Sequence, residues 1–304
     1  MNTKKMNIDA ALVQRLIKSQ FPAWSDFPIK PVEFSGWDNR TFHLGDRMTV
    51  RLPSDASYAS QVEKEQRWLP KLAPHLSLLI PRPLAMGRPS EDYPWPWSVV
   101  QWLDGKMASL ETISDLSAFA LKLAEFLKAL QKIDSTGGPM AGPQNFYRGG
   151  SLKIYDLETR EAIKKLDPTM DSKQITEIWN RALDSEWNQP PAWMHGDIAV
   201  GNLLVNDGEL SAVIDFGQLG VGDPACDLVI AWTLFRDQSR EVFKKSISLD
   251  EQTWERAMGW ALWKALIVYT ALPGVNCNAI EIEKAKRVIN ELLADNSKLK
   301  RGRA

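Results

Sequence analysis

The chain has 304 residues, of which 44% are hydrophobic and 25% are charged, as is ordinary for a folded globular protein. A formal net charge of -1 excludes a strong overall field that would attract nucleic acid or an anionic membrane surface. Two cysteines, Cys226 and Cys277, are too few for a disulfide framework and are expected to be buried thiols.

The start of the sequence predicts neither export nor a membrane anchor. It is charged and has no apolar stretch of signal-peptide length. The sequence has no run of about 18 uncharged apolar residues, which a transmembrane helix would need. We therefore expect a cytoplasmic protein whose partners include neither nucleic acid nor a membrane. The sequence contains no signal for an oligomeric state.

In the first third of the chain, short strands surround one helix. An amphipathic helix is predicted first, at 9–20, because its apolar residues share one face. Strands are then predicted at 31–34, 40–44, 48–52, 83–86 and 98–102, with a helix at 57–73 between the third and the fourth. This order indicates a small, mostly antiparallel sheet that carries one helix.

The rest of the chain is mainly helical. Helices are predicted from 114 onwards and at 151–166, 172–187, 224–235, 240–247, 250–271 and 279–293. They are interrupted by a hairpin with strands at 203–205 and 212–214, joined by Asn206-Asp207-Gly208. We therefore predict an α+β fold with two lobes, a sheet-containing lobe at 1–103 and a helical lobe at 104–304.

One segment contains the residues expected to carry chemistry. Asn202 follows Asp197 by five positions, and Asp215 stands at the end of the second hairpin strand. Phosphoryl transfer needs a carboxylate at the attacking hydroxyl and oxygen ligands for Mg²⁺. A loop followed by a hairpin could supply all three groups from one local unit. Each of these short motifs alone would more simply be an ordinary turn, because Asp and Gly are common in turns.

The pattern His195-Gly196-Asp197, Asn202 and then Asp215-Phe216-Gly217 resembles the aminoglycoside phosphotransferase and choline kinase group of kinase-fold enzymes. Protein kinases use H-R-D-x4-N and D-F-G in the same order. The resemblance implies a kinase fold, ATP or GTP as phosphate donor, and Mg²⁺ as cofactor. It implies that Asp197 is the base or orienting carboxylate, that His195 organises the loop, and that Asn202 and Asp215 are Mg²⁺ ligands.

Further residues follow from the same resemblance. Downstream, Asp227 lies in a G-D-P-x-x-D-L segment and is expected to brace the catalytic loop. Upstream, the segment 34–42 resembles the family's phosphate-covering loop, although a plain hairpin turn is the alternative. Backbone and side-chain groups of this loop are expected to hold phosphate oxygens; the candidates are Ser35, Gly36 and Asn39.

The rest of the nucleotide site is predicted by position. Arg51 takes the place of the lysine on the third strand of kinases, which is a departure because its planar head needs different room. Its helix partner is predicted to be Glu65, with Glu63 as the competitor. At the joint between the lobes, backbone groups of Gln101, Trp102 and Leu103 are expected to pair with the purine base.

The acceptor is predicted to be a small molecule. Five residues separate Gly217 from Asp223, which leaves no activation segment to bind a peptide. The resemblance implies an aminoglycoside, another antibiotic or a metabolite alcohol, and with the first two a role in antibiotic resistance. A cationic acceptor would need acidic residues around the cleft; the candidates are Asp156, Glu158, Asp184, Glu186, Asp250 and Glu255.

Two alternatives accompany these predictions. A pseudokinase that binds nucleotide without transferring phosphate is the rival function, and Arg51 is its only support. The chain also contains thirteen tryptophans, several of them at helical spacing, as in Trp254, Trp260 and Trp263. Core packing is the simpler explanation for them, and an aromatic ligand cleft is the other.

Overall fold

An antiparallel sheet forms the first third of the chain in the computed structural model, which describes residues 6–33, 36, 38–273, 275 and 277–303. Its five strands are β1 (Ile29–Pro31), β2 (Asn39–Leu44), β3 (Met48–Pro53), β4 (Pro83–Gly87) and β5 (Trp97–Gln101). They lie in the order β1-β2-β3-β5-β4. The first strand was predicted at 31–34 but lies earlier; Phe34 and Ser35 are outside the described residues.

Two helices pack on this sheet. Helix α1 (Ala10–Gln20) begins at Asp9, whose carboxylate accepts a hydrogen bond from the Leu12 amide at 2.9 Å, and its apolar face joins the core of the sheet. Helix α2 (Ala59–Leu72) differs, because Trp68, Leu69 and Leu72 belong to the larger hydrophobic cluster of the helical part. Helix α2 therefore joins the sheet to the remainder of the chain.

The helical part follows the predicted order with three differences. Its helices are α3 (Leu116–Lys132), α4 (Asp156–Lys164), α5 (Ser172–Asp184), α6 (Ile230–Thr233), α7 (Asp237–Ile247), α8 (Glu251–Tyr269) and α9 (Ala279–Arg303). The helix predicted at 151–166 begins as a 3₁₀ turn before α4, and the one predicted at 224–235 is a 3₁₀ turn followed by α6. Helix α9 runs beyond the predicted end at 293, held by a buried ion pair of Asp295 with Arg240.

Short strands position the loops between the helices. They are β6 (Lys106–Met107), β7 (Ala192–Met194), β8 (Leu203–Asn206), β9 (Glu209–Val213) and β10 (Gly220–Gly222). Strands β6, β8 and β9 form one sheet, and β7 pairs with β10 in another. In the β8–β9 turn, Asp207 and Gly208 both have positive φ, 49° and 81°, as the Asp-Gly sequence predicted. Strands β6, β7 and β10 were not predicted.

The predicted fold class is confirmed: the molecule has an antiparallel sheet with few helices and a larger, mainly helical part. The division at Leu103 stays a prediction, since α2 shares its apolar residues with the larger cluster. No helix in the described part of the chain is long and apolar enough to span a bilayer.

Candidate active site

The loop between β7 and β8 holds His195 in a fully buried position. The Asp197 amide donates to His195 Nδ1 at 3.2 Å, so the proton lies on Nε2, which donates to the Ile214 carbonyl at 3.0 Å. Its ring packs against Phe216, with the ring centroids 4.5 Å apart. Both ring nitrogens are therefore used to join this loop to the end of β9, and neither is left for acid–base chemistry.

Asp227 also holds the loop between β7 and β8, through its side chain. Its two carboxylate oxygens accept hydrogen bonds from the His195 and Gly196 amides, each at 2.7 Å. Burial raises the pKa of Asp227 to about 6, although nearby His195 and these two hydrogen bonds lower it. Gly196 has a φ of 86°, and a Cβ there would lie 2.5 Å from the Gln218 carbonyl oxygen, so the turn requires glycine.

The Asp197 carboxylate is engaged on both sides. Its Oδ1 pairs with the Lys264 ammonium at 3.0 Å, and its Oδ2 accepts from the Asn202 amide nitrogen at 3.1 Å. Burial raises the pKa of Asp197, but the ion pair and hydrogen bond with Lys264, together with nearby His195 and Arg148, outweigh this effect and lower the pKa below the usual carboxyl value. Asp197 is therefore ionised at neutral pH.

Asp215, just after β9, is joined to strand β3 of the large sheet through Arg51. The Arg51 guanidinium donates to Asp215 Oδ1 at 3.3 Å and to the two Glu65 carboxylate oxygens at 3.2 and 3.0 Å. Glu65 is 4% exposed, whereas Glu63 points to solvent. Asp215 adopts a left-handed backbone conformation, with φ 65° and ψ 68°, which only a few non-glycine residues adopt.

Two further charged residues face this centre. Lys64 donates to the Gly217 carbonyl at 2.6 Å, and burial lowers the pKa of Lys64 to about 8 despite nearby Glu65. Asp38, in the loop before β2, accepts from the Gln61 amide at 3.2 Å. Burial raises the pKa of Asp38, and the nearby carboxylates of Asp215 and Asp197 raise it further. Carboxylates and cations thus lie close enough here to influence one another's pKa.

The candidates in the phosphate loop are placed only in part. Gly36 is exposed, with open space around its Cα, and its carbonyl accepts from Arg40 at 3.0 Å. Asn39 is half-buried at the start of β2. Ser35 lies outside the described residues.

At the joint between the lobes, two of the three candidate N–H groups are already used. The Gln101 amide donates to the Arg82 carbonyl at 2.9 Å, and the Trp102 amide donates to the Arg47 carbonyl at 2.8 Å. The Leu103 amide has no such backbone partner in the described chain. Its side chain packs with three residues of the β8–β9 hairpin region, Leu204, Ala212 and Ile214. An N–H donor for a purine base is therefore available at Leu103 and not at Gln101.

A narrow pocket opens beside Asp197 on the side of α8. Its other charged residues are Arg148 and Lys264, and its remaining walls are apolar or backbone: Gly196, Ile198, Cys226, Val229, Trp260 and Trp263. Its volume of about 20 Å³ is close to that of one water molecule. Asp197 is the only acid among the described residues that line it.

The six acidic residues suggested for a cationic acceptor do not converge on this pocket. Glu158 accepts a hydrogen bond from the Trp263 indole, Asp156 pairs with Arg160, and Glu255 pairs with Arg181. Asp250 caps α8 by accepting from the Thr253 amide. Glu186 pairs with Lys153 at the surface and Asp184 is exposed.

Several side chains of the site were not predicted: Arg148, Lys264, Lys64 and Asp38. Core packing, the simpler explanation for the tryptophans, holds for Trp260 and Trp263, which are buried in the large hydrophobic cluster, and Trp254 packs against that cluster beside Trp232. Trp260 and Trp263 also line the pocket. For Lys264 a signal did exist. It is the only charged residue between Ala257 and Tyr269, an otherwise apolar stretch of α8.

Solved structures with this fold include several phosphotransferases. Aminoglycoside 2'-phosphotransferase-IIIa in complex with GDP is 19% identical, with 95% of this chain and 100% of that chain covered at a TM-score of 0.71. A streptomycin–ATP complex of APH(2")-IIa is 19% identical, covering 95% and 97% at 0.59. Macrolide 2'-phosphotransferase MphH from Brachybacterium faecium is 18% identical, covering 93% and 98% at 0.61.

The sequence comparisons give the family. No curated protein matches the chain. The sequence model of the phosphotransferase enzyme family matches residues 28–260. This range includes the sheet, the loops that contain Asp197 and Asp215, and the first half of α8 up to Trp260. This match covers more than half of the chain and contains Asp197, Asn202 and Asp215. The chain therefore belongs to the phosphotransferase enzyme family.

Proposed function

We propose that the protein is a Mg²⁺-dependent kinase that transfers the γ-phosphate of ATP or GTP to a hydroxyl of a small molecule. The observation that carries this proposal is the proximity of three residues. Asn202 donates to Asp197, and its backbone carbonyl accepts from the Ile214 amide, next to Asp215. Arg51 on β3 then joins Asp215 to Glu65 on α2. Phosphoryl transfer depends on positioning and charge more than on covalent chemistry, and this arrangement provides both.

The nucleotide is proposed to bind between the sheet and the β8–β9 hairpin. The Leu103 amide would donate to the purine base, above the apolar group of Leu204 and Ile214. Arg51 would contact phosphate oxygens while it stays paired with Glu65, since a guanidinium has five N–H donors. The loop with Ser35, Gly36 and Asn39 would cover the phosphates. The GDP and ATP complexes of the solved relatives support a purine nucleotide in general.

The donor atoms present suit Mg²⁺. Asn202 uses its amide nitrogen on Asp197, which leaves its carbonyl oxygen for a cation, and Asp215 uses one oxygen on Arg51. No cluster of three or more acidic, histidine or cysteine ligands occurs in the described chain. Mg²⁺ commonly takes one or two carboxylates and completes its shell with phosphates and water. When bound, it would neutralise charge on the transferring phosphate.

Asp197 is proposed to orient the acceptor. Its carboxylate, ionised and fixed by Asn202, would accept a hydrogen bond from the acceptor hydroxyl. The hydroxyl oxygen then bonds to the γ-phosphorus while the bond from this phosphorus to the bridging oxygen of the nucleoside diphosphate breaks. The hydroxyl proton passes to Asp197 as this transfer proceeds. A carboxylate of lowered pKa is a weak base, so its main contribution would be orientation.

A small acceptor is supported by the short connection after Gly217. Strand β10 fills this connection, is buried, and pairs with β7 from Gly220↔Met194 to Gly222↔Ala192. Among the described residues, none forms an extended segment after Gly217 that could bind a peptide. Gentamicin and streptomycin complexes occur among the solved relatives, as do macrolide phosphotransferases, so both antibiotic classes belong in an acceptor panel beside amino alcohols and sugars.

A coupled ADP-release assay over this panel tests the proposal. We expect release that needs both an acceptor and Mg²⁺, and that stops when EDTA removes the metal. The rival pseudokinase would bind nucleotide in a thermal shift measurement and release no ADP with any acceptor. Nucleotide binding without turnover over the whole panel would therefore overturn the proposed function.

The pH dependence of the rate should report Asp227. Its pKa of about 6 lies above the usual 3.8, so the carboxylate that holds the His195 and Gly196 amides is lost below about pH 6. We expect the rate to fall with decreasing pH through this value. The pKa of Asp197 is lowered, so it cannot supply this limb.

The raised pKa of Asp227 also affects the stability of the fold, but in the opposite direction: the rate falls with decreasing pH, whereas the stability from this group rises. A raised folded-state pKa means that Asp227 contributes most stability below pH 3.8 and least above pH 6. The matched measurement compares the chain with Asp227→Asn, whose rate should be low and should lack the limb near pH 6. A limb that Asp227→Asn retains unchanged belongs to the nucleotide phosphate, and would contradict this assignment.

A further inference from the structure

Arg148 brings a positive charge to the pocket beside Asp197, and none of the described carboxylates forms an ion pair with it. Its Nε donates to the Gly196 carbonyl at 3.1 Å, and its guanidinium lies 5.1 and 4.9 Å from the ring centroids of Trp260 and Trp263. Its Nη1 atom is buried and has no hydrogen-bond partner in the described chain. Leaving a buried charged donor unpaired costs free energy, so this atom is suited to an oxygen from outside the protein.

Lys264 adds a second cation, which pairs with the oxygen of Asp197 that an acceptor hydroxyl would approach. Both Asp197 oxygens are engaged, Oδ1 by Lys264 and Oδ2 by Asn202. An acceptor hydroxyl that reaches Asp197 therefore shares Oδ1 with the ammonium or displaces it. The Lys264 side chain is 49% exposed, so it has room to move and thereby widen the narrow pocket. A displaced ammonium close to Arg148 needs a new negative partner.

From these two cations we infer that the acceptor alcohol carries an anionic group, a carboxylate or a phosphate, which binds Arg148 and Lys264 while the hydroxyl meets Asp197. The inference rests on the proposed function and names its substrate class. An anion here would satisfy the free Arg148 N–H and the Lys264 ammonium with charge-assisted hydrogen bonds. The apolar walls would exclude water and strengthen these bonds.

The same geometry disfavours a polycationic acceptor. An ammonium group near the attacking hydroxyl of the acceptor would lie close to Arg148 and Lys264, and like charges repel. Besides Asp197, the acidic residues that could offset this repulsion do not line the pocket, and five of the six candidates have partners of their own. Glu158 accepts a hydrogen bond from the indole of Trp263, whose ring lines the pocket. An aminoglycoside would thus meet repulsion where it needs attraction.

Matched acceptors test the inference. On one carbon skeleton, the set is glycerol, glycerate, glycerol phosphate and aminopropanediol; on another, benzyl alcohol with a carboxylate or an aminomethyl substituent. We would measure kcat/KM for each, together with calorimetric binding to the protein loaded with Mg²⁺ and a non-hydrolysable ATP analogue. The kcat/KM and the binding affinity of the anionic members are expected to exceed those of their neutral counterparts by about tenfold or more. The carboxylate and phosphate arms decide which anion is preferred.

Substitution of Arg148 separates binding from a role in folding the loop. Arg148→Gln is expected to raise KM for anionic acceptors about 10- to 100-fold and to change KM for neutral ones little. Arg148→Lys should recover part of this loss, because it restores the charge. Arg160→Gln, which removes an exposed arginine paired with Asp156 on α4, is the control and should behave as the unaltered protein.

The outcomes are distinct. Equal or better binding of the cationic or neutral members, or equal effects of Arg148→Gln on all acceptors, would overturn the inference. Phosphate transfer to a cationic acceptor would overturn it while supporting the proposed kinase activity. Anion-selective binding without transfer to any alcohol would support the pocket assignment and overturn the proposed function.

Discussion

Asp197→Asn is expected to lower the rate of phosphate transfer about 10²- to 10⁴-fold while nucleotide affinity changes little. The substituted amide keeps the shape of the side chain, and its oxygen can still accept from Asn202, as Asp197 Oδ2 does at 3.1 Å. What is lost is the negative charge that orients the acceptor hydroxyl and pairs with Lys264. The effect should therefore fall on kcat and not on the KM for ATP.

Asp207→Asn is the matched control for this experiment. Asp207 is an exposed carboxylate in the turn of the adjacent hairpin, and its φ of 49° is one that asparagine tolerates. The same chemical change there should leave the rate and the melting temperature unaltered. Full turnover in Asp197→Asn, with both proteins folded, would remove Asp197 from the proposed reaction.

Three of the predicted residues of this centre lie on one continuous segment, whereas Arg51 and Glu65 were predicted from the resemblance to kinases. Asp197, Asn202 and Asp215 are brought together by a local loop and hairpin, and the Asp-Gly turn fixes the hairpin with little help from the rest of the chain. Helices α1 and α3 could also be predicted from local sequence, because their apolar residues recur with the period of a helix.

The pairing of the acceptor-pocket cations was beyond such reasoning, even though Lys264 stands out as the charged residue in an apolar stretch of α8. Lys264 lies 67 residues from Asp197 in sequence, and Arg148 lies 48 residues from the Gly196 carbonyl that it contacts. Their meeting depends on how α8 and the loop before α4 pack, which no local pattern specifies. Strand β10 was missed for a related reason, because three residues with two glycines have little strand propensity and owe their conformation to pairing with β7.

Sequence also left open how arginine replaces the strand lysine, and the geometry suggests an answer. Arg51 reaches Glu65 and Asp215 at the same time, with separate nitrogens of its planar head. A lysine ammonium is a single point of charge and cannot present that fork. Arg51 therefore joins α2 to the Asp215 loop in this structure, beyond any role at the phosphates.

Arg51→Met should accordingly have two large effects. The first is on nucleotide binding, where loss of a charged donor is expected to raise the KM for ATP about 10- to 100-fold. The second is on stability, because Glu65 would remain buried without its partner, which costs about 3–5 kcal/mol. Arg47→Met is the control: it removes an exposed arginine in the turn between β2 and β3, and it should change neither the KM for ATP nor the stability.

The double variant Arg51→Met/Glu65→Met separates these two effects. Replacing both members of a buried ion pair with apolar side chains is often close to neutral for stability, so most of the lost free energy of unfolding should return. The raised KM for ATP should not return, because no cation is left for the phosphates. The cycle comprises the unaltered protein, Arg51→Met, Glu65→Met and the double variant. Chemical denaturation gives the free energy of unfolding of each, and initial-rate kinetics give its KM for ATP. If nucleotide affinity recovered together with stability, Arg51 would act through the fold alone, and its proposed contact with phosphate would be wrong.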